Sequence, residues 1–167
     1  MTTFNKILDS LKNESPTSFD NLIDFSESMI TKEEISQLAV QLAKSGNILN
    51  LTKSDKVLAD IPSTGGPSSL STLLTPLFLR LLGYKVPKLS VPGRPAGGID
   101  VLSQIEGYNI NPNLTTLKDW LHESDYVHFV GGDNYAPLDI QLFKYRKARH
   151  KIGVPALVVA SILAKKI

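Results

Sequence analysis

Val57-Leu58-Ala59-Asp60-Ile61 runs directly into Pro62-Ser63-Thr64-Gly65-Gly66, and the apolar stretch Leu70 to Leu82 follows. A short aliphatic run, a glycine turn and then a helical pattern describe one strand–loop–helix unit. The order recurs. Val86-Pro87-Lys88-Leu89-Ser90-Val91 leads into Pro92-Gly93-Arg94-Pro95-Ala96-Gly97-Gly98, and Val127-His128-Phe129-Val130 leads into Gly131-Gly132. Repetition of this unit predicts a partial, mostly parallel α/β lobe over residues 56–141, with about three strands. Ligands on such sheets bind at the carboxyl ends of the strands, where the glycine loops lie.

Outward from this lobe the texture is helical, and residues 1–55 and 142–167 predict an all-helical lobe. Phe4, Ile7, Leu8 and Leu11 recur at helical spacing, as do Phe19, Leu22, Ile23 and Phe25 after Pro16. Thr31-Lys32-Glu33-Glu34 reads as a capping box ahead of Ile35, Leu38, Ala39, Leu42 and Ala43. Gly46 is placed to end that helix in a left-handed conformation. Trp120, in Leu117-Lys118-Asp119-Trp120-Leu121, reads as a core residue of an amphipathic helix. The last helix starts near Val154 with Pro155 in its first turn, and Ser161 and Lys165, four apart, share one side.

The composition is that of a globular chain. It has 167 residues, 42% of them apolar and 20% charged, enough for one domain or two small ones. Eighteen Lys and Arg against sixteen Asp and Glu leave a formal charge of +2, which argues against a dedicated nucleic-acid or membrane-surface protein. The basic residues of Lys144–Lys151 read as a solvated turn. Cysteine is absent, so there is no disulfide framework and no thiolate chemistry. His122, His128 and His150 show no metal-ligand spacing. MTTFNKILDSLKNE carries both signs of charge and does not read as a signal peptide. Pro76, Arg80 and Pro155 interrupt the longest apolar runs, so the expectation is a soluble cytoplasmic protein with no membrane span.

The glycine loops have the chemistry to hold an anion. In Ser63-Thr64-Gly65-Gly66 two glycines allow close backbone approach and two hydroxyls can donate, with a helix N-terminus following. Ser68, Ser69, Ser71 and Thr72 add hydroxyls in the first turns. The same residue types also make a plain βα turn with a serine cap, so both readings stand at this level.

The ordered motifs resemble those of the thymidine and pyrimidine-nucleoside phosphorylases. Asp60-Ile61-Pro62-Ser63-Thr64-Gly65-Gly66 is similar to that family's Asp-Lys-His-Ser-Thr-Gly-Gly loop, and the strand ending at Ser90 to its next one. Gly97-Gly98-Ile99-Asp100-Val101-Leu102 resembles its Gly-Gly-Thr-Leu-Asp-x-Leu stretch. Ala136-Pro137-Leu138-Asp139 resembles Ala-Pro-Ala-Asp, Tyr145-Arg146 its Leu-Arg or Thr-Arg, and Ala160-Ser161-Ile162-Leu163-Ala164-Lys165-Lys166 its Ala-Ser-Ile-Leu-Ser/Ala-Lys-Lys. The likeness runs in order from about residue 20 to the end and matches only part of that fold.

The resemblance implies phosphorolysis of a pyrimidine nucleoside to free base and pentose 1-phosphate. Ser63, Thr64, Gly65, Gly66, Thr72 and Ser90 would bind phosphate, and Arg146, Ser161 and Lys165 the base. No cofactor is implied, phosphate being a co-substrate. Partners implied are phosphate, the nucleoside and a complementary chain or a homodimer formed through the helical lobe. Three departures qualify this expectation. Ile61 and Pro62 stand where the family has Lys and His, and neither can replace their donors. The second glycine loop is shorter, with no clear phosphate-contacting threonine beside Gly98 and Ile99. The chain also stops just after Lys165, where family members continue. The alternative expectation is a catalytically inactive nucleoside- or partner-binding relic.

Overall fold

A computed structural model describes residues 3–51, 54–62, 69–93 and 97–167. The chain forms two compact units, residues 1–48 with 132–167 and residues 49–131.

The first unit is helical. It contains α1 (Thr3–Ser10), a 3-10 turn at Leu11–Asn13, α2 (Pro16–Ser28) and α3 (Lys32–Ala43). Its remaining helices among the described residues, α7 (Pro137–Ala148) and α8 (Pro155–Ala164), come from the C-terminal part. The Ser15 hydroxyl caps α2 ahead of Pro16. Thr31 and Glu34 close the expected capping box on α3, each side chain meeting the other's backbone N–H. The core gathers Phe4, Leu11, Leu22, Leu38, Leu42, Leu138, Leu142 and Leu157, with Ala39 and Ala160 among the small residues of the packed interior. Small side chains there suit the close approach of α3 and α8.

Gly46 is not the left-handed cap expected. The helix closes at Lys44 in ordinary right-handed geometry, and Gly46 is absent from the positive-φ glycines. The reason for glycine is closeness: a Cβ at this position would lie 2.6 Å from both the Asn134 carbonyl oxygen and Pro137 Cδ. Around it, the Ser45 hydroxyl accepts from the Leu138 N–H at 3.1 Å, and the Asn47 N–H donates to the Asn134 carbonyl at 2.7 Å. These bonds satisfy an orphan donor at the start of α7.

The second unit is α/β. It holds α4 (Ser69–Leu81), β1 (Val86–Ser90), α5 (Gly98–Leu102), α6 (Leu114–Ser124) and β2 (Tyr126–Val130). The strands β1 and β2 are parallel, with Val86 opposite Tyr126 and Ser90 opposite Val130. Parallel neighbours need a crossover, and α5 and α6 supply it. The first expected strand shrinks to a single parallel bridge, Leu58 with Lys85. Local chemistry ends it early. The Ile61 N–H donates to its neighbour's Asp60 Oδ1 at 2.7 Å, its carbonyl is taken by Lys88, and Pro62 has no N–H to offer.

The helix α4 has an unusual surface. Thr72 and Pro76 are buried, whereas Leu70, Leu74, Leu77, Phe78, Leu81 and Leu82 are exposed, Leu81 by 78%. In α6, Leu117 and Leu121 are core, but Trp120 is only half-buried, in contrast to the sequence expectation.

Candidate functional site

Strand alternation organises the second unit's polar group. Successive side chains of a strand point to opposite faces, so Lys88 and Ser90 share a face, and Lys88's register partner His128 lies on the same side. All three stand on β1 and β2, with Ser90 at the carboxyl end of β1 and Lys88 and His128 opposite one another at the middle of the two strands. Lys88 is 1% exposed. Its ammonium donates to Asp60 Oδ1 at 3.0 Å and to the Ile61 carbonyl at 2.8 Å. Burial depresses its pKa to about 8 even with a carboxylate at hand.

His128 is equally buried, and its Nε2 lies 2.8 Å from Ser90 Oγ. Burial first, and then the charge of Lys88, push its pKa down to about 3, so the ring is neutral at physiological pH. Its Nδ1 is buried without a hydrogen-bond partner. A Cβ at Gly98 would meet Thr72 Cγ2 at 2.8 Å and His128 Cε1 at 3.2 Å, so Thr72, Gly98 and His128 converge on one corner. On the outer side of β2 the Tyr108 hydroxyl donates to the His128 carbonyl at 3.1 Å, holding the strand in place.

The first unit has its own polar group. Asp139, 1% exposed on α7, accepts from Lys165 Nζ at 2.6 Å and from the Ser161 hydroxyl at 3.1 Å. Lys165 also donates to the Ser161 carbonyl at 2.6 Å and lies 2.8 Å from its hydroxyl. The four-residue spacing on α8 makes this contact possible. Arg146, 2% exposed, donates from Nε to the Lys151 carbonyl at 3.2 Å and from Nη2 to the Ile152 carbonyl at 2.6 Å. It clamps the turn between α7 and α8. The groove of about 730 Å³ beside Ser26, Ile35 and Lys151 is lined by none of Arg146, Ser161 and Lys165.

Of the residues singled out in the sequence, Ser161 and Lys165 are in direct contact, and Thr72 and Ser90 both adjoin His128. Ser63, Thr64, Gly65 and Gly66 lie outside the described residues, as does Arg94. Three functional candidates escaped the sequence reading. Asp139 was visible only as the last letter of a motif. Lys88 sits in a strand run where period-two alternation predicts an inward side chain, which was the available signal. His128 has no sequence partner because Ser90 is 38 residues away. The basic residues of Lys144–Lys151 are solvent-exposed apart from Arg146, with Arg149 pairing at the surface with Asp20 and Lys151 with Glu27.

No family model matches the chain. It does match curated proteins. A pyrimidine-nucleoside phosphorylase of Staphylococcus haemolyticus is 27% identical over 137 residues, 81% of this chain and 32% of that protein. Thymidine phosphorylases of Sinorhizobium fredii and Colwellia psychrerythraea are 29% and 27% identical over 83% and 86% of the chain. Over most of its length the chain is similar to pyrimidine-nucleoside and thymidine phosphorylases. It spans about a third of the length of the curated relatives it matches. Among the described residues, no group of three or more His, Cys, Asp or Glu could hold a metal, and no helix is long and apolar enough to cross a membrane.

Proposed function

We propose that the chain carries phosphate- and base-contacting residues for phosphorolysis of a pyrimidine nucleoside. In that reaction a phosphate oxygen bonds to the anomeric carbon as the C–N bond breaks. The electron pair of that bond leaves with the pyrimidine, which is protonated afterwards. The transition state is oxocarbenium-like, so positioning the anion and meeting charge on the departing base are the protein's main tasks.

The observation that carries this reading is the placement of Ser90 at the carboxyl end of β1, 2.8 Å from His128, with Thr72 and His128 meeting at Gly98, in a chain similar to phosphorylases. Thr72 and Ser90 would contact phosphate, with Ser63, Thr64, Gly65 and Gly66 joining them on sequence grounds alone. Lys88 offsets part of what Ile61 and Pro62 lack, because its ammonium reaches the Ile61 carbonyl itself. In the first unit Lys165 and Ser161 would meet the base, with Asp139 holding the ammonium in place, and Arg146 would act from α7. Phosphate is the co-substrate, and no cofactor takes part.

The apolar face of α4 supports a requirement for more polypeptide. A helix with Leu70, Leu74, Phe78 and Leu81 exposed normally packs against something. A complementary chain, further residues of the same chain or a second copy would cover it. The test is phosphate-dependent release of thymine or uracil from thymidine or uridine, followed by chromatography. The assay uses the protein alone and co-expressed with the remaining two-thirds of a relative. Release that falls about a hundredfold in Lys165→Met supports the reading. No release in either preparation overturns it as an enzyme.

A second reading has its own observation. Arg146 already donates to the Lys151 and Ile152 carbonyls, and Lys165 to Asp139, so the base-contacting donors are engaged without a base. A chain that binds a nucleoside or a partner without turnover fits this as well. Saturable uridine binding by calorimetry with no product favours it.

A further inference from the structure

We infer that His128 is a positioning residue, which holds the Ser90 hydroxyl as a hydrogen-bond donor towards a bound phosphate. This inference rests on the reading of Ser90 as a phosphate contact and assigns the atom that directs it. The 2.8 Å contact between His128 Nε2 and Ser90 Oγ can run either way. A neutral imidazole has one N–H. If that proton is on Nδ1, Nε2 takes the only proton of Ser90, which then offers a phosphate nothing but lone pairs. It also leaves an N–H buried with no acceptor, the rarer and costlier kind of orphan. If the proton is on Nε2, His128 donates to Ser90 Oγ, and the serine's own proton is free for the anion. Only a bare lone pair on Nδ1 is then left unmatched.

The surroundings hold the ring in this role. Burial, together with the ammonium of register partner Lys88, keeps it neutral, so it does not become a second cation. Gly98 lies close to Cε1, so that even a methyl added there would lie 3.2 Å from the ring. The arrangement recognises an acceptor-only tetrahedral oxyanion, and inorganic phosphate is the probe.

The experiment combines tautomer and affinity. Long-range proton–nitrogen NMR of the full chain should show a pyrrole-type Nε2 and a pyridine-type Nδ1 when phosphate is added. Phosphate affinity by calorimetry should weaken about tenfold in His128→Leu. It should stay within about threefold in His128→Gln, whose amide N–H can replace the donor. Adding Ser90→Ala to His128→Leu should cost little more, since both act through one hydroxyl. A protonated Nδ1 overturns the inference, as does equal loss in the Leu and Gln variants or none in either. If a variant fails to fold, the tautomer in the unaltered chain still decides. If the unaltered chain binds no phosphate, the phosphate reading of Ser90 itself fails, a different outcome from phosphate binding that ignores His128.

Discussion

The two polar groups solve the same problem in opposite ways. Asp139, Ser161 and Lys165 form a closed set, in which one buried carboxylate meets an ammonium and a hydroxyl and the charges cancel. Lys88, Ser90 and His128 form a more open set: Asp60 and the Ile61 carbonyl meet the Lys88 ammonium, but the serine is half-buried and an imidazole nitrogen is left without a partner. Buried polar groups normally find partners, and unmatched ones cost free energy that is tolerated where a ligand completes the network. On the proposed reading, the second unit's group is the one that receives the phosphate. The first unit's group has to exchange an internal partner for a ligand.

Breaking the closed set should have the largest effect. Asp139→Ala leaves the Lys165 ammonium without its carboxylate and removes the acceptor of the Ser161 hydroxyl. Removing one partner of a buried pair destabilises by about 3–5 kcal/mol. Chemical denaturation, read from the helical signal, should show this. A loss of under about 1 kcal/mol would mean that Lys165 escapes to solvent and that the set is not closed.

The open set should be visible in the pH dependence. His128 titrates near 3 in the folded chain and near 6.5 when unfolded. Between these values the unfolded state binds the extra proton, so stability falls as pH drops from about 6.5 towards 3. The limiting slope is about 1.4 kcal/mol per pH unit, or up to about 3 kcal/mol by pH 4. His128→Gln should remove that component while leaving the carboxylate contribution in place. Identical pH profiles for the two proteins would place the imidazole in contact with water.

The corner that confines His128 can be probed by steric pressure. Gly98→Ala places a methyl 2.8 Å from Thr72 Cγ2 and 3.2 Å from His128 Cε1, neither at the end of a long flexible chain. The expected cost is about 1–3 kcal/mol, with a displaced His128 ring signal. Glycine is required here by close approach, as at Gly46, and the sequence pattern cannot separate that need from a positive φ.

This limit shows what was legible in advance. Helical periodicity and the Thr31–Glu34 capping box placed α1 to α3, because these signals lie within a few residues of one another. The strand–glycine–helix repeat identified the α/β class for the same reason. The shortening of the first strand was hidden, since it depends on Lys88 taking the Ile61 carbonyl from 27 residues away. Asp139 was hidden similarly. Its meaning lies in Ser161 and Lys165, 22 and 26 residues downstream, which only the packing of α7 and α8 brings close. Ser161 and Lys165 themselves were legible because one helix carries both.

The capping box supplies the smallest and most local prediction, and it separates the two units. Thr31→Ala removes the acceptor for the Glu34 N–H and should cost about 1 kcal/mol. The change lies in the first unit, whereas His128 and Ser90 lie in the second. Its effect should therefore add to that of Asp139→Ala, since the capping contacts are local to the start of α3 and share no partner with Asp139. Phosphate affinity should be unchanged, because none of the proposed phosphate contacts belongs to that helix. Weakened phosphate binding in Thr31→Ala would show that the first unit's stability is coupled to the open set. The contrast between a self-sufficient group and a ligand-completed one would then have to be redrawn as a single network.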